Sequence, residues 1–212
     1  MPEYSPVVYI IDDDASIRSV VAELLECEGI RTETYGSALD FMPRCSPLMR
    51  GCLLLDMDLP EVSGLELQRR LLESGIDLPI VFLTGHGDIG TSSLAFRSGA
   101  VDFLEKPTDT ATLLNRVREA LTKDMEKWHH RRRHAVLAER FNRLTGRERE
   151  VLKLVVAGYS TKEIARALQI SNRTVDVYRG RIMEKTESRS LADLISSFFE
   201  LYPDGPTGQT TP

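Results

Sequence analysis

The sequence predicts an α/β domain built on a parallel five-stranded sheet, followed by a smaller all-helical domain. Three observations predict it. Short, β-rich apolar runs alternate five times with stretches of helical periodicity in the first part of the chain. From Leu144 onward only helical periodicity remains. The charge divides at the same place. Residues 1–124 carry 11 Lys and Arg against 21 Asp and Glu, a net of −10, and residues 125–212 carry 16 against 11, a net of +5, which together give the overall −5.

The elements follow in order. Val7 to Ile11 is an apolar strand, and residues 15–28 place Ile17, Val20, Val21, Leu24 and Leu25 at helical spacing. Arg31 to Tyr35 alternates as a strand, and Ser37 can cap a short helix with Leu39, Phe41 and Met42. Cys52 to Leu55 reads as a strand buried on both faces. Ser63-Gly64-Leu65-Glu66 has the form of a capping box, heading a helix with Leu67, Leu71 and Leu72. Ile80 to Leu83 is a fourth strand, residues 89–98 a weak helix, Val101 to Leu104 a fifth strand, and Leu113, Leu114, Val117 and Leu121 mark the closing helix. Residues 122–143 hold neither Pro nor Gly, so a helical connector is expected, with the run His129 to His134 as a solvated face.

In the second part, Thr145-Gly146-Arg147-Glu148 is another capping box, and Gly158 ends the helix it heads. Thr161 to Leu168, Asn172 to Lys185 and Leu191 to Leu201 are three further helices, with a turn at Gln169-Ile170-Ser171 after the first, and Ser171 or Asn172 can cap the second. The stretch from residue 203 to 212 is rich in Pro, Gly and Thr and reads as disordered.

Composition narrows the classes. With 42% hydrophobic and 28% charged residues, a packed core and a charged surface are both expected. No apolar run approaches the length of a membrane span, and the opening MPEYSP lacks a basic region followed by an apolar one, so the cytoplasm is the expected compartment. Cys27, Cys45 and Cys52 have no metal-ligand spacing and cannot all pair, which fits reduced thiols.

The chemistry is concentrated where strands end. Ligands of doubly wound sheets bind outside the carboxyl ends of the strands. Asp12, Asp13 and Asp14 follow the first strand, Asp56 and Asp58 the third, Thr84 and Gly85 the fourth, and Glu105, Lys106 and Pro107 the fifth. In a flavodoxin-like strand order the first and third strands are neighbours, so Asp12, Asp13 and Asp56 converge. Clustered carboxylates repel, and a hard divalent cation such as Mg²⁺ resolves the repulsion while keeping waters that a phosphoryl group can replace. Lys106 and Thr84 can hold phosphoryl oxygens, and Asp56 is placed as the nucleophile. Each group has a plainer reading: Asp14 or Ser16 as a helix cap, Lys106 as a surface lysine, Thr84 as a turn residue. Their coincidence at four strand ends favours the chemical one.

Two other patterns compete with this reading. Gly85-His86-Gly87-Asp88-Ile89-Gly90 satisfies G-x-G-x-x-G, but it follows the fourth strand, and neighbouring aspartates would repel a pyrophosphate. Asp56-Met57-Asp58 suits a haloacid-dehalogenase-like phosphatase using Asp56 and Asp58, but it lies on the third strand and no later acidic pair follows Lys106.

The motifs DDD at 12–14, LLLDMDLPEVSG, LTGHGD at 83–88 and FLEKP at 103–107 together resemble the receiver domain of bacterial two-component response regulators. The resemblance implies a (βα)5 flavodoxin-like receiver over residues 1–123. It also implies Asp56 as acceptor of a phosphoryl group from a sensor histidine kinase. Mg²⁺ or Mn²⁺ would be held by Asp12, Asp13, Asp56 and the backbone carbonyl of Asp58. Thr84 and Lys106, the latter in a cis peptide with Pro107, would read the phosphoryl group, with Phe103 as the aromatic switch partner of Thr84. No enzyme activity is implied beyond self-phosphorylation and dephosphorylation at Asp56. Leu59 and Thr108 depart from the commonest family residues.

In the basic half, STKEIARALQISNRTVDVYRGRIMEK has helix-turn-helix spacing. Ile164, Ala165, Leu168, Ile170, Val175, Tyr178 and Ile182 point inward, and Arg173, Thr174, Asp176, Val177, Arg179, Arg181 and Lys185 are left for phosphates and base edges. The longer stretch from Leu144 to Lys185 resembles the LuxR/FixJ/NarL-type DNA-binding domain. That implies an all-α four-helix module over residues 144–202, whose third helix enters the major groove of double-stranded promoter DNA. Lys162 resembles a phosphate anchor, and Tyr178 stands at a DNA-contact position of the family in place of the usual His, while Thr186 replaces the usual Leu; both departures imply altered packing or a shifted contact at the third helix. The two resemblances together imply a regulator with a helical linker at 124–143, homodimerisation on phosphorylation, contact with RNA polymerase, and no membrane partner.

Overall fold

The computed structural model describes residues 4–85 and 102–205. The chain forms two compact units, Met1–Trp128 and His129–Pro212.

In the first unit, strands β1 (Val7–Ile11), β2 (Thr32–Tyr35), β3 (Gly51–Asp56), β4 (Ile80–Thr84) and β5 (Asp102–Glu105) form one sheet in the order β2-β1-β3-β4-β5. Every pairing is parallel. The expected sheet is therefore present, with β1 and β3 adjacent. Helices α1 (Ala15–Cys27), α2 (Ala38–Phe41) and α3 (Gly64–Glu73) connect the strands, and α4 (Thr110–Asn142) follows β5. The expected helix at 89–98 and the Gly-rich motif from His86 to Gly90 lie outside the described residues.

Side-chain alternation builds two cores. Val7, Tyr9, Ile11, Leu53, Leu55, Ile80 and Phe82 pack on one face with Phe41 of α2 and Leu67 and Leu71 of α3. Val8, Ile10, Cys52, Leu54, Val81 and Leu83 point to the other, against Val21 and Leu25 of α1 and Leu113, Leu114 and Val117 of α4. Successive residues of a strand face opposite ways, so a strand covered by helices on both sides must be apolar throughout. That is why β1 and β3 carry no alternation and are buried along their whole length. The edge strand β2 is half exposed and accordingly reads TETY.

The second unit contains the end of α4 and helices α5 (Gly146–Val156), α6 (Thr161–Leu168), α7 (Asn172–Thr186) and α8 (Leu191–Leu201). They enclose a core of Phe141, Leu144, Val151, Leu152, Val155, Ile164, Val175, Ile182, Leu194 and Phe198. Side-chain oxygens cap the helices as the sequence suggests: Ser37, Thr145 and Ser171 each accept from a first-turn backbone N–H. Two caps differ from expectation. Ser63 accepts the Glu66 N–H, but the Glu66 carboxylate meets Arg69 and Arg70, so local ion pairs take the group that a capping box would use. Ser160 and Glu163 do form a capping box at α6.

Helix α4 covers nearly all of the expected connector in one piece with the helix before it. His129, His130, Arg131, Arg132 and Arg133 are exposed, as expected of a solvated face. No helix among the described residues is long and apolar enough to cross a membrane.

Candidate functional site

The carboxyl ends of β1, β3 and β5 bring the charged groups together. Asp12 and Asp56 are buried and Asp13 is exposed, with one carboxylate oxygen of each lying within 4.8 Å of the others. Lys106 reaches in from beyond β5, its Nζ 2.6 Å from Asp12 Oδ2 and 2.8 Å from Asp56 Oδ2. Burial pulls the lysine's pKa down, but hydrogen bonds and charge from Asp12 and Asp56 outweigh it and hold the pKa above the ordinary value. The ammonium is therefore a fixed positive charge shared by two carboxylates. Three carboxylates against one ammonium leave two negative charges in a small volume.

The backbone orients these carboxylates. Asp12 Oδ1 accepts the Asp14 N–H at 2.9 Å, and Asp56 Oδ1 accepts the Asp58 N–H at 3.1 Å. Asp14 points elsewhere: its Oδ1 caps α1 through the N–H groups of Ser16 and Ile17, and those bonds lower its pKa. The plainer reading of Asp14 is thus the right one. The side chain of Asp58 is exposed and is not part of the three-carboxylate cluster.

Thr84 ends β4 and is half-buried, and its carbonyl accepts the Lys106 N–H at 2.7 Å. The peptide between Lys106 and Pro107 is cis, as expected. Phe103 stacks on Phe82, with centroids 5.0 Å apart and planes inclined by 14°. Sequence reasoning missed Gly64. A Cβ there would lie 2.4 Å from the Asp56 carbonyl oxygen, so the first turn of α3 packs on the backbone of the acceptor residue. The signal was present in the Gly of EVSG, which also reads as part of a cap.

In the second unit, α6 and α7 meet at Gln169, which takes a left-handed conformation (φ 54°). The exposed side of α7 carries Arg173, Asp176, Val177 and Arg181, and Lys162 is exposed on α6. The other expected contact residues have intramolecular partners. Thr174 Oγ1 meets Ser171 Oγ, Arg179 Nη1 donates to Thr161 Oγ1 at 3.1 Å, and the Tyr178 ring packs against the core. Lys185 Nζ lies 2.7 Å from the buried carboxylate of Glu148. Burial pushes the Glu148 pKa up, but bonds from Lys185 and Thr145 prevail and hold it low. The departure at Thr186 also has an internal explanation, because its hydroxyl is buried and donates to the Ile182 carbonyl at 2.7 Å.

Comparison with known proteins agrees with this geometry. Residues 8–118 match the response regulator receiver domain, and residues 142–198 match the bacterial regulatory proteins of the luxR family. The chain is 40% identical over 189 residues to nodulation protein W of Bradyrhizobium diazoefficiens, covering 89% of this chain and 83% of that protein. It is 40% identical over 195 residues to the transcriptional regulatory protein FixJ of Azorhizobium caulinodans, covering 92% of each. Among solved structures, the response regulator StyR superposes with a TM-score of 0.83 at 40% identity, over 91% of this chain and 98% of StyR. Full-length FixJ from B. japonicum gives 0.55 at 33% identity, over 95% and 99%. With both domain types matched in order, this chain belongs to the two-component response regulators that join a receiver domain to a LuxR-type helix-turn-helix domain, and it is closely related to the FixJ/NarL group.

Proposed function

We propose that Asp56 is the residue phosphorylated by a sensor histidine kinase, and that this modification promotes dimerisation and binding of α7 in the major groove of promoter DNA. The observation that carries the proposal is the buried Asp56 carboxylate at the tip of β3, sharing the Lys106 ammonium with Asp12. An Asp56 carboxylate oxygen forms the new bond to phosphorus as the bond from phosphorus to the kinase imidazole nitrogen breaks. The imidazole leaves with its electron pair. Lys106 balances charge on the phosphoryl oxygens, and Thr84 offers them its hydroxyl. Phe103 follows Thr84 and alters the face of the receiver domain near β5.

The three carboxylates fit a hard divalent ion, because the donors are all oxygen, two negative charges remain after Lys106 is counted, and exposed Asp13 leaves room for water. Mg²⁺ or Mn²⁺ held by Asp12, Asp13, Asp56 and the Asp58 carbonyl would supply charge neutralisation for the transferring group. In the second domain, Lys162, Arg173 and Arg181 are the exposed cations suited to DNA phosphates and guanine edges, with Asp176 and Val177 between them. RNA polymerase is the further partner of this reading, and the cytoplasm is the compartment where kinase and DNA are both met.

The test is phosphorylation by acetyl phosphate with Mg²⁺, read by intact mass, sedimentation and DNA binding. The parent gains one phosphate, dimerises and binds DNA more tightly, and Asp56→Asn does none of these. An Asp56→Asn protein that dimerises and gains DNA affinity as the parent does would overturn the proposal.

A further inference from the structure

The main chain of Asp12 is bonded on both sides, as its carboxylate is. Its N–H donates to the Tyr35 carbonyl at 3.3 Å, and its own carbonyl accepts from Arg18 Nη1 at 2.5 Å. Arg18 sits in the first turns of α1, where its N–H bonds the Asp14 carbonyl, and its side chain reaches back over the loop that α1 leaves. The guanidinium also lies over Gly36, within 3.7 Å of where a Cβ would stand at that residue. It therefore bridges the carboxyl ends of β1 and β2.

The carbonyl that Arg18 grips belongs to the peptide joining Asp12 to Asp13. A peptide unit is planar, so fixing its oxygen fixes the direction in which the chain enters Asp13. Asp13 is the exposed member of the carboxylate cluster. Asp12 and Asp56 are each held by Lys106 and by a backbone N–H. We propose that Arg18 is a positioning residue for the metal site, holding the Asp12–Asp13 peptide so that the Asp13 carboxylate stays with those of Asp12 and Asp56. The proposal rests on the reading of this cluster as the divalent-ion site.

Two effects of Arg18 have opposite signs, which makes the proposal testable. A positive charge near the site repels a cation, so on electrostatics alone its removal strengthens binding. Loss of positioning weakens binding, and groups that orient metal ligands are typically worth about 10–100-fold in affinity. The experiment titrates the unphosphorylated full chain with Mn²⁺, followed by electron paramagnetic resonance. Thermal unfolding of each variant serves as the fold control. Arg18→Met keeps the aliphatic stem but removes donor and charge, and it is expected to weaken Mn²⁺ binding about 10-fold. Arg18→Lys keeps a donor and the charge and is expected to restore affinity to within about 3-fold of the parent. If Arg18→Met binds Mn²⁺ as well as the parent or better, the positioning role is wrong. If the parent itself binds no Mn²⁺, or binds it unchanged in Asp13→Asn, the reading of the cluster as a metal site fails instead.

Discussion

The carboxylate of Asp124 accepts a hydrogen bond from the main-chain N–H of Gly51, 2.8 Å away in the interior and 73 residues distant in sequence. The same oxygen receives the Tyr4 hydroxyl at 3.0 Å, and the Tyr4 ring packs on Trp128 with centroids 5.4 Å apart. One turn on, Lys127 pairs with Asp77 at 2.7 Å. The middle of α4 is thus bonded to the amino-terminal edge of the sheet, at the end of β3 opposite Asp56. Gly51 has φ 120°, and a Cβ there would lie 1.8 Å from the Val7 carbonyl oxygen. Burial, followed by the charge of Asp124, raises the Tyr4 pKa.

Replacing Asp124 by Ala leaves the Gly51 N–H buried without this acceptor. The expected cost is about 1–3 kcal/mol of receiver stability. Urea unfolding followed through Trp128, the single tryptophan, measures it. A midpoint equal to the parent's would show the bond to be dispensable.

Lys106→Ala should move two properties in opposite directions. Removing the ammonium leaves three carboxylates uncompensated, so Mg²⁺ binds more tightly. Phosphorylation of Asp56 by acetyl phosphate slows by about 100-fold, the usual scale for losing a group that stabilises developing charge. Calorimetry and intact mass against time provide the two readings.

Gly64→Ala tests the packing of α3 on the acceptor residue. The new Cβ meets backbone rather than a movable side chain, so the loop after β3 must shift. A loss of about 1–3 kcal/mol in stability is expected, together with slower phosphorylation. A variant with parent stability and rate would mean that the loop accommodates the methyl group freely.

The Glu148–Lys185 pair gives the second domain an acid-dependent stability. The folded pKa of Glu148 lies below its ordinary 4.5, so its contribution is complete above that value and is lost as pH falls through the folded pKa. Hydrogen exchange of the α5 and α7 amides in the full chain should show the parent better protected than Glu148→Gln at neutral pH. The difference should narrow as pH falls below the ordinary carboxylate value and through the lowered folded pKa of Glu148. A difference constant with pH would assign the effect to packing instead of charge.

Alanine at Arg173 or Arg181 should weaken DNA binding and reduce the salt dependence by about one counterion for each phosphate the side chain neutralises. Lys185→Ala should lower the stability of the domain instead, because its ammonium is bound to Glu148. Fluorescence anisotropy at several salt concentrations, alongside thermal unfolding, separates the two classes. Equal loss of DNA affinity with unchanged stability at Lys185 would count against this division.

Much of the fold and of the receiver site is legible in the sequence, because it depends on local repetition. The unbroken apolar runs of β1 and β3 announce strands covered on both faces, and residues following parallel strands must emerge at one edge of the sheet. Asp12, Asp13, Asp56 and Lys106 come together that way, and Thr84 ends the neighbouring strand at the same edge. The caps at Ser37, Thr145 and Ser171 are equally local, each set by an oxygen-bearing side chain three residues before an unpaired N–H.

What the sequence by itself determined is the kind of element at each stretch and the end of the sheet where the acidic and basic groups emerge, since periodicities of two and about 3.6 are written residue by residue. Only the tertiary structure decided which of those groups meet: Lys106 with Asp12 and Asp56, Arg18 with the Asp12 carbonyl, Asp124 with Gly51, and Lys185 with Glu148 instead of an open surface. The reason is that a long polar side chain takes its partner from the rotation and packing of whole elements, and a charge beside a buried opposite charge is drawn to it across any distance in the chain.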